Sequence, residues 1–270
     1  MLEESLLGKK TEYISSYTPS LLFPYARKLG REINGIPTPL PFKGIDIWNG
    51  FEISWLNLKG KPEIAIGEFF FPSSTPNLIE SKSFKLYLNS FNQSVFNSFE
   101  RVQNTIQKDL SQACGGPVEV GLIPPAKFQY QKLKDFSGTL LDILDIEVRD
   151  YEVNADLLSS SSIHVEETLI SHLLKSNCLA TGQPDWASLI IRYSGPKIDH
   201  EGLLKYIISY RNHSGFHEHC VELMFWDILQ RCRPERLTVY ARYTRRGGLD
   251  INPFRSNFEG CPLNIRLPRQ

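Results

Sequence analysis

An internal duplication is the feature of this sequence that most restricts its fold. Compared with itself at a shift of about 120 residues, the chain aligns KLYLNSFNQSVFN (85–97) with KYIISYRNHSGFH (205–217). Upstream, Gly60-Lys61-Pro62-Glu63 aligns with Gly182-Gln183-Pro184-Asp185, and each motif precedes an apolar run typical of a strand, IAIGEFFF or WASLIIRY. The sequence therefore predicts one module that is present twice.

The two halves predict the same order of elements: strand, turn, strand, helix, helix, strand. We expect an α+β fold with antiparallel sheets that carry helices on one face. The first 40 residues, rich in Tyr, Pro and Ser, are expected to form an N-terminal arm. The modules are placed at 41–155 and 165–270, with the loop-like SSSS at 159–162 marking their boundary.

The second helix of each half can be delimited from periodicity and capping residues. In the second half, Ser214 is expected to cap a helix that ends near Arg231, because apolar residues then recur at spacings of three and four. Its counterpart in the first half is predicted from about Ser94 to Gln112, with the Gly-Gly pair at 115–116 ending the helix.

Composition limits the classes of partner and compartment. Lys plus Arg equals Asp plus Glu at 30 each, so the overall charge does not indicate a nucleic acid or a membrane surface as partner. The five cysteines are odd in number and contain no C-x-x-C, which argues against disulfides and a zinc ribbon. With no signal peptide or membrane span in the pattern, we expect a soluble, cytoplasmic protein.

The two modules differ in their reactive residues. At the shift used above, Leu58 matches Cys178 and Asn97 matches His217, so the first module lacks both a nucleophile and its histidine. Conversely, the ESK motif at 80–82 has no match in the second module. We therefore expect one composite site for each pair of modules, with recognition groups from the first and reactive groups from the second.

Cys178 and Asp185 can cooperate only if the chain between them doubles back. Seven extended residues would separate them by roughly 23 Å, far beyond proton transfer. Gly182-Gln183-Pro184 is where a turn could form, because glycine allows a positive φ and proline fixes the exit into the next strand. From these residues alone, a structural interpretation is favoured: Cys178 as a small buried residue and Asp185 as a turn cap.

The residues after Ser214 permit several interpretations. His217 and Glu218 fall in the first helical turn on the face opposite Phe216 and Cys220, where such side chains are usually solvated. His217, His219 and Cys220 could be metal ligands, but at most two of them would reach one ion from a single helix. Glu80 and Glu218 could accept paired N–H bonds from a purine-like heterocycle if both face a cavity.

Near the C-terminus, Arg245-Arg246 precedes a Gly-Gly turn, a composition that suits a phosphate group and is also typical of an ordinary exposed turn. The sequence contains no P-loop motif, and no G-x-G-x-x-G follows a predicted strand. A Rossmann or P-loop nucleotide site is therefore not expected.

Four motifs in order resemble the NADPH-dependent 7-cyano-7-deazaguanine reductases of queuosine biosynthesis. They are ESKSFKLYLNSFNQ (80–93), SNCLATGQPDW (176–186), FHEHCVE (216–222) and ARYTRRGGLDINP (241–253). The resemblance covers nearly the whole chain and is to the long, two-module form of that family. It implies two tandem modules of the tunnelling fold, which pterin- and purine-handling enzymes also use.

The resemblance also implies an activity and a set of site residues. The chain would reduce a nitrile to a primary amine with two NADPH, with Cys178 forming a covalent thioimide, Asp185 giving the proton and His217 as the accompanying acid. The remaining expected contacts are Leu78, Ile79, Glu80, His217 and Glu218 for the substrate, and Ser81, Lys82, Arg246 and Gly247 for NADPH. It further implies a homodimer with a small-molecule substrate, without metal, direct nucleic-acid contact or membrane attachment.

Two alternatives stay open on the sequence. One is a zinc-dependent pterin or purine enzyme of the same fold that uses His217, His219 or Cys220 as ligands. The other is a nucleic-acid-binding module that works through the loop of Arg245 and Arg246, although the neutral net charge argues against it.

Overall fold

The computed structural model describes residues 13–179 and 181–270, which form two compact units. Unit 1 contains residues 13–29, Asp46–Lys132 and Arg245–Ile251, and unit 2 contains Gly30–Ile45, Leu133–Thr244 and Asn252–Gln270. The first 12 residues of the predicted N-terminal arm lie outside the described part of the chain.

The first half of the chain supplies five strands and three helices. In chain order these are β1 (Pro24–Ala26), α1 (Arg27–Ile33), β2 (Lys43–Leu56), β3 (Pro62–Pro72), β4 (Asn77–Ile79), α2 (Ser81–Asn89), α3 (Phe99–Cys114) and β5 (Glu119–Ile123). Unit 1 has the strand order β5–β3–β2, and β1 pairs with β4 in a separate antiparallel ribbon. Its core is rich in aromatic side chains, among them Trp48, Phe69, Phe84 and Tyr87.

The second half repeats this arrangement with longer strands. Its elements are β6 (Thr139–Leu140), β7 (Ser160–Asn177), β8 (Pro184–Ile198), α4 (His200–Ser209), α5 (His217–Cys232), β9 (Arg236–Tyr243) and β10 (Leu249–Ser256). In unit 2 the strand order is β10–β9–β8–β7–β6, and every pair is antiparallel except β6 with β7. Apolar residues of α4 and α5 pack with those of β7, β8 and β9 in one buried core.

The predicted α+β class and the predicted order of elements are confirmed. The two strands joined by a turn are β2 and β3 in the first half and β7 and β8 in the second. The two helices and the last strand are α2, α3 and β5 in the first half, where the short β4 precedes α2, and α4, α5 and β9 in the second. Helix α3 buries Val102, Ile106 and Leu110 at a spacing of four, as its periodicity predicts. It ends where expected, because Gly115 takes the left-handed conformation that terminates helices, with a φ of 72°.

Two helix starts and one loop were predicted wrongly. Helix α3 begins after Ser98, whose side chain accepts a hydrogen bond from the Arg101 N–H, and not at Ser94. Helix α5 begins at His217, so Ser214 does not cap it. The residues near Ser94 and Ser214 form isolated β-bridges instead, Val95 with Leu56 and Ser214 with Asn177.

The SSSS segment is the third error. Ser160 opens strand β7 and pairs with Ile198 of β8, so the long hairpin draws most of this polar stretch into extended structure. Serines 159–162 have exposed or partly exposed side chains, and an exposed strand end of this kind has a composition close to that of a loop. Their polarity therefore reflected solvent exposure and not the absence of a strand.

Candidate active site

The turn between β7 and β8 returns the chain on itself as the sequence predicts. The Cys178 N–H donates to the Gln183 carbonyl at 2.8 Å, and the Gly182 N–H donates to the Cys178 carbonyl at 3.0 Å. Gly182 has a φ of 64°, a left-handed conformation that glycine adopts without strain. Pro184 then starts β8, opposite Asn177. The turn therefore fixes Cys178 through its backbone.

This hairpin brings Cys178 and Asp185 to the same end of unit 2. Asp185 lies directly opposite Ser176 in the antiparallel register, and directly opposed residues share a face of the sheet. Cys178 directly follows Asn177, the last residue of β7, at the same end of the hairpin. Cys178 and Asp185 are each only 6 % exposed. A thiol and a carboxyl group are thus both buried at this end of the hairpin.

His217 joins this pair from the start of α5. The loop before the helix is bound to the end of β7, because the Asn177 N–H donates to the His213 carbonyl at 2.8 Å and its carbonyl accepts the Gly215 N–H at 3.1 Å. The His217 Nε2 atom lies 3.3 Å from an Asp185 carboxylate oxygen. Its ring stacks on Tyr243 of β9 with 3.7 Å between ring centroids and 2° between the planes. The expectation that His217 is solvated is therefore wrong.

Glu218 is also buried, with 2 % of its surface exposed, which corrects the expectation of a solvated carboxylate. Glu222, one helical turn further on, is fixed by two arginines of unit 2. Arg31 donates to both of its oxygens at 2.7 and 2.9 Å, and Arg255 donates to one at 3.0 Å. Because residues four apart share a helix face, this buried ion-pair network fixes the face that carries Glu218.

A buried polar layer lies close to these groups, and no local signal in the sequence predicts it. The side chains of Cys220, Ser176 and Tyr243 lie close together, although the two hydroxyls make no hydrogen bond with the described residues, and Cys220 also experiences the charges of Asp185 and Glu218. Burial raises the pKa of the Cys220 thiol to about 12, so it stays protonated at neutral pH. The sequence analysis did not predict Ser176 and Tyr243 as site residues. The only local signal is that Tyr243 ends the alternating strand LTVYARY.

In unit 1, the predicted recognition residues surround the start of α2. Leu78 and Ile79 are buried in β4, where they pair with Tyr25 and Pro24 of β1. Glu80 caps the helix, since its two carboxylate oxygens accept the N–H groups of Lys82 and Ser83 at 2.7 and 2.8 Å. Burial raises the pKa of Glu80, and these N–H groups offset the rise only in part.

The predicted NADPH contacts fall at two places in the same unit. Ser81 and Lys82 begin α2, and Arg246 and Gly247 form part of a tight turn before β10. The Arg246 N–H donates to the Leu249 carbonyl at 2.9 Å, across two glycines with φ values of 63° and 79°. These are the conformations of a hairpin turn that favours glycine at both central positions.

The surroundings of this turn fit a phosphate-bearing cofactor. A side chain added to Gly247 would meet the Lys85 ammonium group at 2.8 Å, so an ammonium group lies against the bare backbone of the turn. A cavity of about 60 Å³ beside it is lined by Lys85, Gly247, Gly248 and Glu52, whose carboxylate lies 4.0 Å from the Lys85 ammonium group and offsets part of its charge. Arg245 lies over the Phe51 ring, 4.4 Å from its centroid. Cations next to exposed backbone are the donor set that phosphate groups prefer.

Among residues 13–179 and 181–270, no group of three or more His, Cys, Asp or Glu side chains is arranged to hold a metal ion. None of the helices in this part of the chain has the length and apolar character that a membrane crossing requires.

Comparison with known proteins gives consistent results. The family model described as the N-terminal part of the nitrile reductase 7-cyano-7-deazaguanine reductase matches residues 13–122, and a model described as QueF-like protein matches residues 184–260. Proteins named NADPH-dependent 7-cyano-7-deazaguanine reductase are similar over 99 % of both chains. Those of Paraburkholderia phytofirmans and Cupriavidus necator are 56 % and 58 % identical to this chain.

One solved structure, that of the archaeosine synthase QueF-Like in the apo form, covers 38 % of this chain and 100 % of its own. It is 20 % identical in sequence, with a TM-score of 0.30.

Proposed function

Because the chain belongs to the NADPH-dependent 7-cyano-7-deazaguanine reductase family, we propose that it reduces the nitrile of 7-cyano-7-deazaguanine through a covalent thioimide on Cys178. The product is 7-aminomethyl-7-deazaguanine, in the pathway that makes the tRNA nucleoside queuosine. The observation that carries the mechanism is the hairpin that places Cys178 and Asp185 at one end of unit 2, with His217 3.3 Å from Asp185.

Covalent addition is the first step of the proposed mechanism. The Cys178 sulfur bonds to the nitrile carbon while one C–N π bond breaks, and the nitrogen takes a proton from Asp185. The proton lost by the thiol restores the acid, so the net change is addition of S–H across the C≡N bond. A thioimide is a polarised C=N group that accepts hydride more readily than a nitrile does, so the cysteine divides one difficult step into easier ones.

Reduction then proceeds in two stages. NADPH, when bound, supplies one hydride to the thioimide carbon and a second molecule supplies another. After the first reduction the C–S bond breaks and Cys178 leaves, which produces an imine. His217, next to Asp185, is the acid that protonates the nitrogen as the imine becomes an amine. One nitrile, two NADPH and two protons thus give one amine and two NADP⁺.

Recognition of the base is assigned to Glu80 and Glu218, with Leu78, Ile79 and His217 as further contacts. Both carboxylates are buried, and a carboxylate has about four lone-pair sites. Glu80 accepts the N–H groups of Lys82 and Ser83 and, at 3.4 Å, the Ser81 hydroxyl, so about one of its four sites, on Oε2, is left for an N–H group of a heterocycle. For the cofactor, we assign the basic side chains of Lys82 and Arg246, the Ser81 hydroxyl and the Gly247 backbone. A homodimer and a cytoplasmic location complete the proposal.

Intact mass spectrometry tests the covalent step. Purified protein is mixed with 7-cyano-7-deazaguanine in the absence of NADPH, beside the Cys178→Ala variant. We expect wild-type protein to gain the mass of one substrate and the variant to gain none, because only the thiol can form the bond. If folded, reduced wild-type protein gained no mass, Cys178 would not be a nucleophile and the mechanism would be rejected.

The Asp185→Asn variant tests the role of Asp185 as proton donor while it leaves the Cys178 nucleophile in place. The amide keeps the size of the side chain but cannot give its proton, so we expect adduct formation to slow by about 100-fold or more while the thiol remains titratable. Stopped-flow measurement of adduct formation, with NADPH oxidation measured in parallel, provides the rates. Wild-type rates in this variant would show that the nitrogen takes its proton from another group.

A further inference from the structure

The rings of His217 and Tyr243 make a close, parallel contact. The two ring planes differ by 2° and their centroids lie 3.7 Å apart. Most other aromatic contacts are edge-on or tilted, with centroids about 5 to 6.5 Å apart. We propose that Tyr243 is a positioning residue for His217, whose imidazole plane it fixes so that Nε2 faces Asp185. This inference rests on the proposed role of His217 as an acid.

The imidazole has few other constraints on its orientation. Its Nδ1 atom is buried and makes no hydrogen bond with the described residues, and its Nε2 atom contacts Asp185 at 3.3 Å. Rotation about the bond to the ring has broad minima in histidine, so a single contact at Nε2 does not fix the plane. A flat aromatic surface at van der Waals distance does fix it, because any rotation would drive the ring edge into the neighbour.

Tyr243 is itself held rigidly by its backbone. Its N–H donates to the Asn252 side-chain oxygen at 3.1 Å, and its carbonyl accepts the Gln270 side-chain N–H at 3.0 Å. Gln270 also donates to Asn252 at 2.8 Å, which closes a triangle of hydrogen bonds around the end of β9. On the other side, Tyr243 is paired with Ala187 of β8, two residues after Asp185. The strand that carries the proton donor therefore also carries the support for the stacked ring.

The ring of Tyr243 and not its hydroxyl is the part that acts. Burial, followed by the charges of Cys220 and Asp185, raises the pKa of Tyr243 well above its usual value. The hydroxyl therefore stays neutral and does not compete with Asp185 or His217 as an acid. It lies close to Ser176 and Cys220 and makes no hydrogen bond with the described residues. This predicts that phenylalanine can replace Tyr243 and that an aliphatic residue cannot.

Proton NMR provides a test that needs no turnover. In wild-type protein the ring protons of His217, assigned through their loss in His217→Ala, should be shifted upfield by the ring current of Tyr243. The shift should persist in Tyr243→Phe and disappear in Tyr243→Leu. Unshifted His217 signals in the wild-type protein would overturn the proposal whether or not the leucine variant folds, and independently of thioimide formation.

Kinetics provide the second readout. We expect Tyr243→Phe to keep kcat within about threefold and Tyr243→Leu to lower it by about tenfold to 100-fold, because small misplacements of a reacting group are costly. In the leucine variant KM for the nitrile should stay within about threefold, and the adduct yield without NADPH should be unchanged. A structural defect alone would lower the adduct yield as well, and that result would contradict a positioning role.

A double-mutant cycle shows whether Tyr243 acts through His217. In the His217→Ala background, Tyr243→Leu should lower kcat no further, since there is no imidazole left to position. An equal loss in both backgrounds, or a phenylalanine variant as impaired as the leucine variant, would overturn the proposal. Absence of any adduct in wild-type protein, with His217 still showing the ring-current shift, would reject the thioimide mechanism and leave the stacked pair intact.

Discussion

The turns after β2 in unit 1 and after β7 in unit 2 share one backbone arrangement and differ in chemistry. In unit 1 the Asn57 N–H donates to the Lys61 carbonyl at 3.0 Å, and in unit 2 the Cys178 N–H donates to the Gln183 carbonyl at 2.8 Å. Each turn contains a glycine with a positive φ, and each leads into a strand that starts with proline. A duplicated frame has therefore kept its turn while its side chains diverged.

The hydrogen bonds also show which residues correspond. Leu56 exchanges backbone hydrogen bonds with Ser94 and Phe96, as Asn177 does with His213 and Gly215. Asn57 and Cys178, which directly follow these two residues, are therefore equivalent to each other. The shift of 120 residues had matched Cys178 with Leu58, which is wrong because Leu56 corresponds to Asn177 here and the shift at this point of the chain is 121.

The second helix of each unit, α3 or α5, also starts with a different kind of side chain. The first residue of helix α3 is Phe99, and the first residue of helix α5 is His217. Phe99 packs edge-on against Trp55 with 5.6 Å between ring centroids, and Trp55 is fully buried. Where unit 2 has a thiol and an imidazole, unit 1 has an amide and an apolar contact. The frame positions side chains, and only one of its two copies carries reactive groups.

Alanine substitutions at the equivalent residues should give opposite results. Cys178→Ala should lower turnover by at least about 1,000-fold, because no other group can form the covalent bond, with a loss of stability near 1 kcal/mol. Asn57→Ala should leave turnover within about twofold and cost about 1 to 2 kcal/mol, because the Asn57 side chain accepts two turn N–H groups and donates to Glu63.

NADPH oxidation and urea unfolding of both variants measure these two effects. The comparison would fail if Asn57→Ala lost activity without losing stability, or if Cys178→Ala lost stability as strongly as Asn57→Ala does.

The two turn glycines allow a finer comparison. Gly60 and Gly182 have φ values of 75° and 64°, and a methyl group added to either would meet nothing within 4 Å. Replacement by alanine should therefore cost each unit about 1 kcal/mol from backbone strain alone. Only Gly182→Ala should also lower kcat, by about threefold to tenfold, because its turn holds Cys178.

Thermal unfolding and steady-state rates of the matched pair test this. Equal losses of activity in both variants would mean that general destabilisation, and not the geometry of the Cys178 turn, sets the rate.

The sequence predicted the duplication, the Gly182 turn and the end of α3, because these depend on local signals. Glycine, proline and residue periodicity act within a few positions of the chain. The resemblance to a reductase family also depended on short motifs, and full-length relatives support it.

The errors occur where distant parts of the chain meet. Ser94 and Ser214 look like helix caps, yet the backbone at each of them forms a β-bridge to the end of a strand that is distant in sequence. His217 and Glu218 look solvated on a helical projection, yet Glu218 is buried and the His217 side chain, which stacks on Tyr243, is only 13 % exposed. A single sequence carries no local signal for contacts of this kind.

The first helix of each unit differs as well. Glu80 caps α2 through two N–H groups, and Asp199 caps α4 through the Gly202 N–H at 2.9 Å. In unit 2 the next residue, His200, also contacts Glu167 of β7 at 3.1 Å, and Glu167 accepts a 2.5 Å hydrogen bond from Tyr193. Burial raises the pKa of Glu167, but the hydrogen bonds from Tyr193 and His200 outweigh it and leave the pKa below its usual value.

A lowered carboxyl pKa makes part of the stability of unit 2 dependent on pH. The ionised form of Glu167 is favoured in the folded state, so its contribution is complete above the unfolded pKa of about 4.5 and is lost as the pH falls through the folded value. Glu167→Gln should cost a few tenths to about 1 kcal/mol at pH 7, after allowance for solvent screening, and nearly nothing near pH 3. Urea unfolding between pH 3 and pH 7 measures this, with the exposed neighbour Glu166→Gln as control. A constant difference between Glu167→Gln and wild type across that range would show that the side chain acts through shape and not through charge.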